Sequence, residues 1–83
     1  MKFSEWKAKT MVFLISLTEK YKDNSKALSD LNFLITKLQN LRSRDIASFL
    51  YYCHIVIRDT KISELIQIIP NQNEIIEILK EES

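Results

Sequence analysis

The sequence predicts an all-α fold, a small antiparallel (up-and-down) four-helix bundle with a short C-terminal helix. Three observations carry that reading. The 83 residues include no glycine, and Pro70 is the single proline. Apolar residues recur at the three- and four-residue spacing of a helix along most of the chain. The breaks between these stretches are short and rich in Asp, Asn, Ser and Thr, which cap helices and form turns. With 46% apolar residues the chain can build a core, and its length suits one domain, residues 1–83.

Each element follows in order. Ser4 reads as the N-cap of a first helix that runs to about Lys22. Trp6, Phe13, Leu14, Leu17 and Tyr21 fall on one stripe, which Met11 and Ile15 widen. Asp23-Asn24-Ser25 is turn chemistry, and Asn24 or Ser25 caps a second helix over Lys26–Leu41. There Leu28, Leu31, Ile35 and Leu38 step by three, four and three, the seam of an antiparallel bundle, with Leu34 and Leu41 beside it.

Ser43 caps the third helix, with Asp45 in its first turn complementing the helix dipole. From Ile46 to Ile57 only Ser48 and His54 are clearly polar, which places this helix at the centre. Its aromatic and β-branched content makes a strand over Tyr52–Ile57 the competing reading. No second strand with a turn signal is present to pair with it. Asp59-Thr60 is the next break, and Thr60 caps a short helix through Ile62, Leu65, Ile66 and Ile69 that Pro70 stops. Asn71 and Glu74, three apart, form a capping box for a last helix carrying Ile75, Ile76, Ile78 and Leu79. The expected core is Phe13, Leu17, Leu31, Ile35, Leu38, Phe49, Leu50, Cys53 and Leu65.

The same residues narrow the function. Without glycine there is no phosphate-cradling loop and no dinucleotide fingerprint. His54 and Cys53 are each the only residue of their type, and as sequence neighbours they point to different sides of a helix. They form neither a metal pair nor a Cys-His nucleophile. Asp45 and Asp59 are explained as connector residues. The expectation is no enzyme, no cofactor and no metal. A lone Cys53 inside an apolar run reads as a small hydrophobe in a reducing compartment. Lys2, Lys7 and Lys9 before Met11–Leu17 imitate a secretory signal, yet no small-x-small site follows, and Glu19, Lys20 and Lys22 close the stretch. The reading is a soluble, cytoplasmic chain without a transmembrane segment, and a membrane-surface role for the first helix ranks low.

Charge is uneven. Residues 1–42 carry eight Lys/Arg and four Asp/Glu, a net of +4, and residues 43–83 carry four and seven, a net of −3. Arg42, Arg44 and Arg58 bracket the third helix, and Lys20, Lys22 and Lys26 cluster at the first connector. A helix-turn-helix of Ile46–Arg58 and Lys61–Ile69 offers only Lys61, Glu64 and Gln67 for recognition. That set is poor at neutralising phosphate, and the near-zero net charge also argues against direct nucleic-acid binding. A protein partner fits better. Tyr51 and Tyr52 are the leading anchors, because adjacent residues cannot both face one seam and aromatic side chains dominate binding hot spots. Trp6 and Tyr21 are further candidates. Glu74, Glu77 and Glu81, stepping by three and four, put an acidic face on the last helix.

Leu28-Ser29-Asp30-Leu31 and Phe49-Leu50-Tyr51-Tyr52, followed by a break and Lys61-Ile62, resemble the small helical immunity proteins of class II bacteriocins. The likeness spans Ser25 to Leu79. It implies a cytoplasmic antiparallel four-helix bundle that protects a bacteriocin producer by recognising the complex of the bacteriocin (the toxin) with its membrane receptor. That family often has a specificity-setting C-terminal extension, whereas this sequence stops almost directly after its last helix. A second stretch, from Ile46-Ala47-Ser48-Phe49 to Ile69-Pro70, is similar to the Hha/YmoA family of nucleoid-protein modulators. That likeness implies a transcription modulator acting through a DNA-bound partner protein, but this chain places His54 where the family carries an acidic contact residue.

Overall fold

The computed structural model describes residues 1–80, and every regular element among them is helical. The elements are α1 (Phe3–Lys20), α2 (Ser25–Gln39), a 3₁₀ turn (Ser43–Asp45), α3 (Ile46–Thr60), a 3₁₀ segment (Ser63–Ile68) and α4 (Gln72–Leu79). The strand considered over Tyr52–Ile57 does not form. The molecule is elongated along its helices, 39 × 19 × 16 Å.

Helices α1 and α2 make an antiparallel hairpin. Tyr21–Asn24 joins one end, and at the other Lys7 Nζ donates to the carbonyls of Gln39 (3.2 Å) and Leu41 (3.1 Å). The Asn24 side chain accepts from the Ala27 N–H at 3.1 Å, the cap the sequence anticipates. Leu31, Leu34 and Leu38 of α2 are fully buried, while Leu28 and Ile35 flank them half-buried. Helix α3 lies along α2. It buries Ile46, Phe49, Leu50, Cys53 and Val56 but leaves Ala47, Ser48, Tyr51 and His54 exposed. It is therefore covered on one face rather than all round.

Five local expectations are corrected. Helix α1 begins at Phe3, with Lys2 rather than Ser4 at the cap position and no capping side chain. Burial of Phe3 beside Trp6, ring centroids 6.0 Å apart, draws the extra residue into the helix. Ile15 does not widen the buried stripe. It lies more than 90° round α1 from the line Phe3, Trp6, Thr10, Leu14 and Leu17 and is exposed.

Helix α3 continues past Asp59 to Thr60, whose hydroxyl donates to the Val56 carbonyl and accepts from the Ile62 N–H. The break falls at Lys61, which takes the left-handed conformation (φ 63°) and sends its N–H to the Ile57 carbonyl at 2.8 Å. Beyond it the chain is 3₁₀ rather than α. Ile62, Leu65 and Ile68 are the buried residues there, a period of three that brings side chains into line in a 3₁₀ helix. Ile66, expected on the packed face, is 60% exposed.

This 3₁₀ segment is a strap running back along α1. Near its start Glu64 meets Lys20 and Tyr21, near its end the Ile68 carbonyl meets Trp6, and beyond it α4 reaches Met1. Asn71 and Glu74 form the capping box that opens α4, with both reciprocal bonds made (2.8 and 3.0 Å). Of the expected core, Phe13 and Ile35 are half-buried and the remaining seven residues are buried.

Candidate protein-docking surface

The most developed apolar feature on the outside lies where α2 and α3 run side by side. Tyr51 is 64% exposed and Phe33 42% exposed, with Tyr52 half-buried between them. The Phe33 and Tyr52 rings meet edge to face, centroids 5.3 Å apart at 84°, and Tyr51 stands 6.1 Å from Tyr52. Edge-to-face pairs at this separation are favourable beyond their buried area, so the cluster holds its shape.

Lys37, one turn beyond Phe33 on α2, lies over both rings, its Nζ 5.4 Å from the Phe33 centroid and 5.6 Å from that of Tyr52. None of the ion pairs among the described residues involves Lys37. The result is an aromatic shelf with a positive charge held above it and, among the described residues, no carboxylate paired with that charge.

Arg58, two turns beyond Tyr51, pairs with Asp59 (3.3 Å), and Arg44 sits 3.7 Å from Asp45. These carboxylates offset two of the three arginines bracketing α3, which interrupts the run of cations that would track a phosphate backbone.

The other candidates are used differently. Trp6 is 4% exposed and its indole N–H donates to the Ile68 carbonyl at 2.8 Å, so it pins the strap to α1 and is no surface anchor. Tyr21 donates its hydroxyl to Glu64, which also receives Lys20. These two donors hold the Glu64 carboxyl below the usual carboxylate value, while the Glu64 carboxylate raises Lys20. The Glu74 carboxylate is engaged in its capping box. Glu77 accepts from the Met1 ammonium at 2.6 Å, which holds its carboxyl below the usual value. Glu81 lies outside the described residues. None of the described contacts joins Glu74 or Glu77 to the tyrosines.

Among the described residues, nothing in the interior gathers reactive groups. Cys53 is fully buried, and burial pushes its thiol up to about 12, so it stays protonated at neutral pH. His54 is exposed, about 100° round the same helix from Cys53. No group of three His, Cys, Asp or Glu able to hold a metal occurs among the described residues. A half-open cavity of about 190 Å³ lies between α1 and the strap, lined by Trp6, Thr10, Phe13 and Ile68 with Met1, Lys9 and Gln67. Its lining is mostly apolar and offers no acid-base pair. Among the described residues no helix is long and apolar enough to cross a membrane.

Sequence reasoning named Tyr51 and Tyr52 but missed Phe33 and Lys37. Their signal was present, because an aromatic and a cation four residues apart on a helix are surface neighbours. Phe33 sits beside the leucine seam, and only the crossing of α2 and α3 decides that it faces outward against Tyr52. The chain matches no family model, no curated protein and no solved structure.

Proposed function

We propose that the chain is a non-catalytic protein-binding module of the immunity or inhibitor type, which blocks or sequesters a protein partner. Its architecture is then the small up-and-down bundle the sequence predicts, with the Ser63–Ile68 strap in the fourth position. One observation carries the reading: the exposed Phe33–Tyr52–Tyr51 shelf with the charge of Lys37 above it. Large aromatics give contact area at low entropic cost, and a cation beside them selects orientation. The partner surface that fits is an apolar side chain for Tyr51 with a carboxylate nearby for Lys37. Glu77 and Glu74 are the weaker docking candidates, since both already hold protein donors.

The test is capture from the native host with tagged wild type, Tyr51→Ala and Lys37→Glu as baits, each with and without nuclease. These side chains are exposed, so circular dichroism of the variants should match wild type. The expected result is a protein retained through nuclease and lost at least tenfold with Tyr51→Ala, the size of a hot-spot truncation of about 2 kcal/mol. A membrane receptor or toxin complex among the retained proteins, together with protection of a bacteriocin-sensitive strain expressing the chain, supports the immunity form. Equal capture by all three baits removes the shelf as the docking site. Nucleoid proteins that vanish on nuclease treatment favour the transcription-modulator reading instead.

A further inference from the structure

Helix α1 is apolar on both sides, and its own fold uses only one. Phe3, Trp6, Thr10, Leu14 and Leu17 face inward. Diametrically opposite run Glu5, Ala8, Val12, Ile15 and Glu19, with Lys22 just past the helix end, all exposed. Val12 is 69% and Ile15 53% exposed, so the outermost line of the helix carries two large aliphatic side chains where an amphipathic helix places charge. From Glu5 to Glu19 the spacing of this line is three, four, three and four, the seam of a two-stranded coiled coil. Beside it Lys9, Val12, Phe13 and Ser16, at the i, i+3, i+4 and i+7 positions that form the hole for a knob, surround a shallow apolar depression with Ala8.

We propose that this line is a self-complementary face through which two copies of the chain pair antiparallel along α1. The register follows from the residues. Placing the twofold axis between Phe13 and Leu14 sets position i of one copy against position 27 − i of the other. Val12 then faces the partner's Ile15, and Ile15 the partner's Val12, giving two adjoining apolar layers at the centre. Ala8 faces the partner's Glu19, where its small side chain allows close approach. At each end Glu5 faces the partner's Lys22. In the single chain Lys22 reaches back to Glu19 at 3.2 Å, a contact between exposed groups that exchanges readily for the new one.

A parallel pairing fails on the same residues. It would stack Glu5 on Glu5, Glu19 on Glu19 and Lys22 on Lys22, like charges in register. The charges thus select both the second copy and its direction. Two helical faces of this length make an interface at the small end of the range, so the pair is weak and concentration-dependent.

Sedimentation equilibrium over a ~100-fold concentration range, rising to the upper micromolar range where interfaces this small associate, tests the pairing. The mass should climb from 9.8 kDa toward twice that value. Val12→Asp and Ile15→Asp should each abolish the climb while circular dichroism remains that of wild type, because neither side chain enters the core. Glu5→Lys and Lys22→Glu should each weaken association several-fold, and the double variant should recover it. Recovery in the double variant is specific to the antiparallel register. A mass that stays at 9.8 kDa throughout, a Val12→Asp protein that dimerises like wild type, or a double variant no better than its singles would each overturn the proposal.

Discussion

Trp6→Phe is the substitution that probes the fold most sharply, because its indole makes the buried hydrogen bond between the strap and α1, whereas the bonds from Lys20 and Tyr21 to Glu64 are exposed or half-buried. The indole N–H donates to the Ile68 carbonyl at 2.8 Å across 62 residues of sequence, and Trp6 also stacks edge-on against Phe49 at 5.7 Å. Phenylalanine keeps a ring in the site and removes the donor. Shrinking the side chain leaves a void of roughly 40 Å³, which costs about 1 kcal/mol at ~24 cal/mol per Å³. The orphaned carbonyl adds about 1–3 kcal/mol. The cavity lined by Trp6 and Ile68 is half-open, so water can reach that carbonyl and pull the second cost toward its lower limit. The sum is about 2–4 kcal/mol, set against a total near 5 kcal/mol for a domain of this size.

The assay is thermal and urea unfolding followed by far-ultraviolet circular dichroism, since the substitution removes the only tryptophan and with it the fluorescence probe. The melting temperature should fall by roughly 10–30 °C. Hydrogen exchange adds the location, and Ser63–Ile68 should lose protection ahead of α2 and α3. A stability loss under about 0.5 kcal/mol with unchanged exchange in the strap would refute the reasoning, because the strap would then be held by its own apolar contacts.

Two further predictions follow from local geometry. Lys61 occupies the left-handed region at φ 63°, where a side chain costs about 1 kcal/mol relative to glycine, so Lys61→Gly should raise stability by roughly 0.5–1 kcal/mol in a thermal melt. An unchanged or lowered midpoint would mean that the Lys61 side chain contributes more than its backbone strain. Because its partners depress the Glu64 carboxyl below its ordinary 4.5, the folded state binds that proton less readily than the unfolded one. The stabilisation is therefore complete above 4.5 and fades as the pH falls through the depressed value. Glu64→Gln should flatten that part of the acid limb in melts run from neutral to acid pH, and an identical pH profile would show that the Lys20–Tyr21–Glu64 cluster adds no linkage.

How much of this was legible in the sequence depends on which interactions decide each element. The Asn24 cap and the Asn71–Glu74 box are local features, and each forms as its residues imply, whereas the buried line of α2 is Ala27, Leu31, Leu34 and Leu38, with the expected Leu28 and Ile35 at its margins. The start of α1 is set by burial of Phe3, a tertiary contact that no local pattern announces. The end of α3 was obscured because a chain without glycine must put another residue in the left-handed position. Between Lys61 and Ile69 the sequence did hold the answer. Ile62, Leu65 and Ile68 repeat every three residues, while Ile62, Leu65, Ile66 and Ile69 also fit a 3.6 repeat, and five aliphatic residues in eight satisfy either period. The aromatic shelf was half legible, because helical spacing separates Tyr51 from its core neighbours but cannot bring Phe33 across from another helix.

The two surface readings make a joint prediction that neither makes alone. The α1 line lies opposite that helix's buried face, whereas Phe33, Tyr51 and Tyr52 lie on α2 and α3, so pairing along α1 leaves the shelf uncovered in both copies. A paired chain is then bivalent, and on a crowded surface the second contact forms at high effective concentration. Val12→Asp should therefore weaken retention on an immobilised partner by about tenfold or more while leaving the one-to-one affinity in dilute solution unchanged. Tyr51→Ala should lower both. The comparison requires the same partner preparation on a densely coated sensor surface and in solution titration. Equal losses for Val12→Asp in the two formats would show that Val12 itself touches the partner, and the α1 face would then belong to the docking surface rather than to a second copy of the chain.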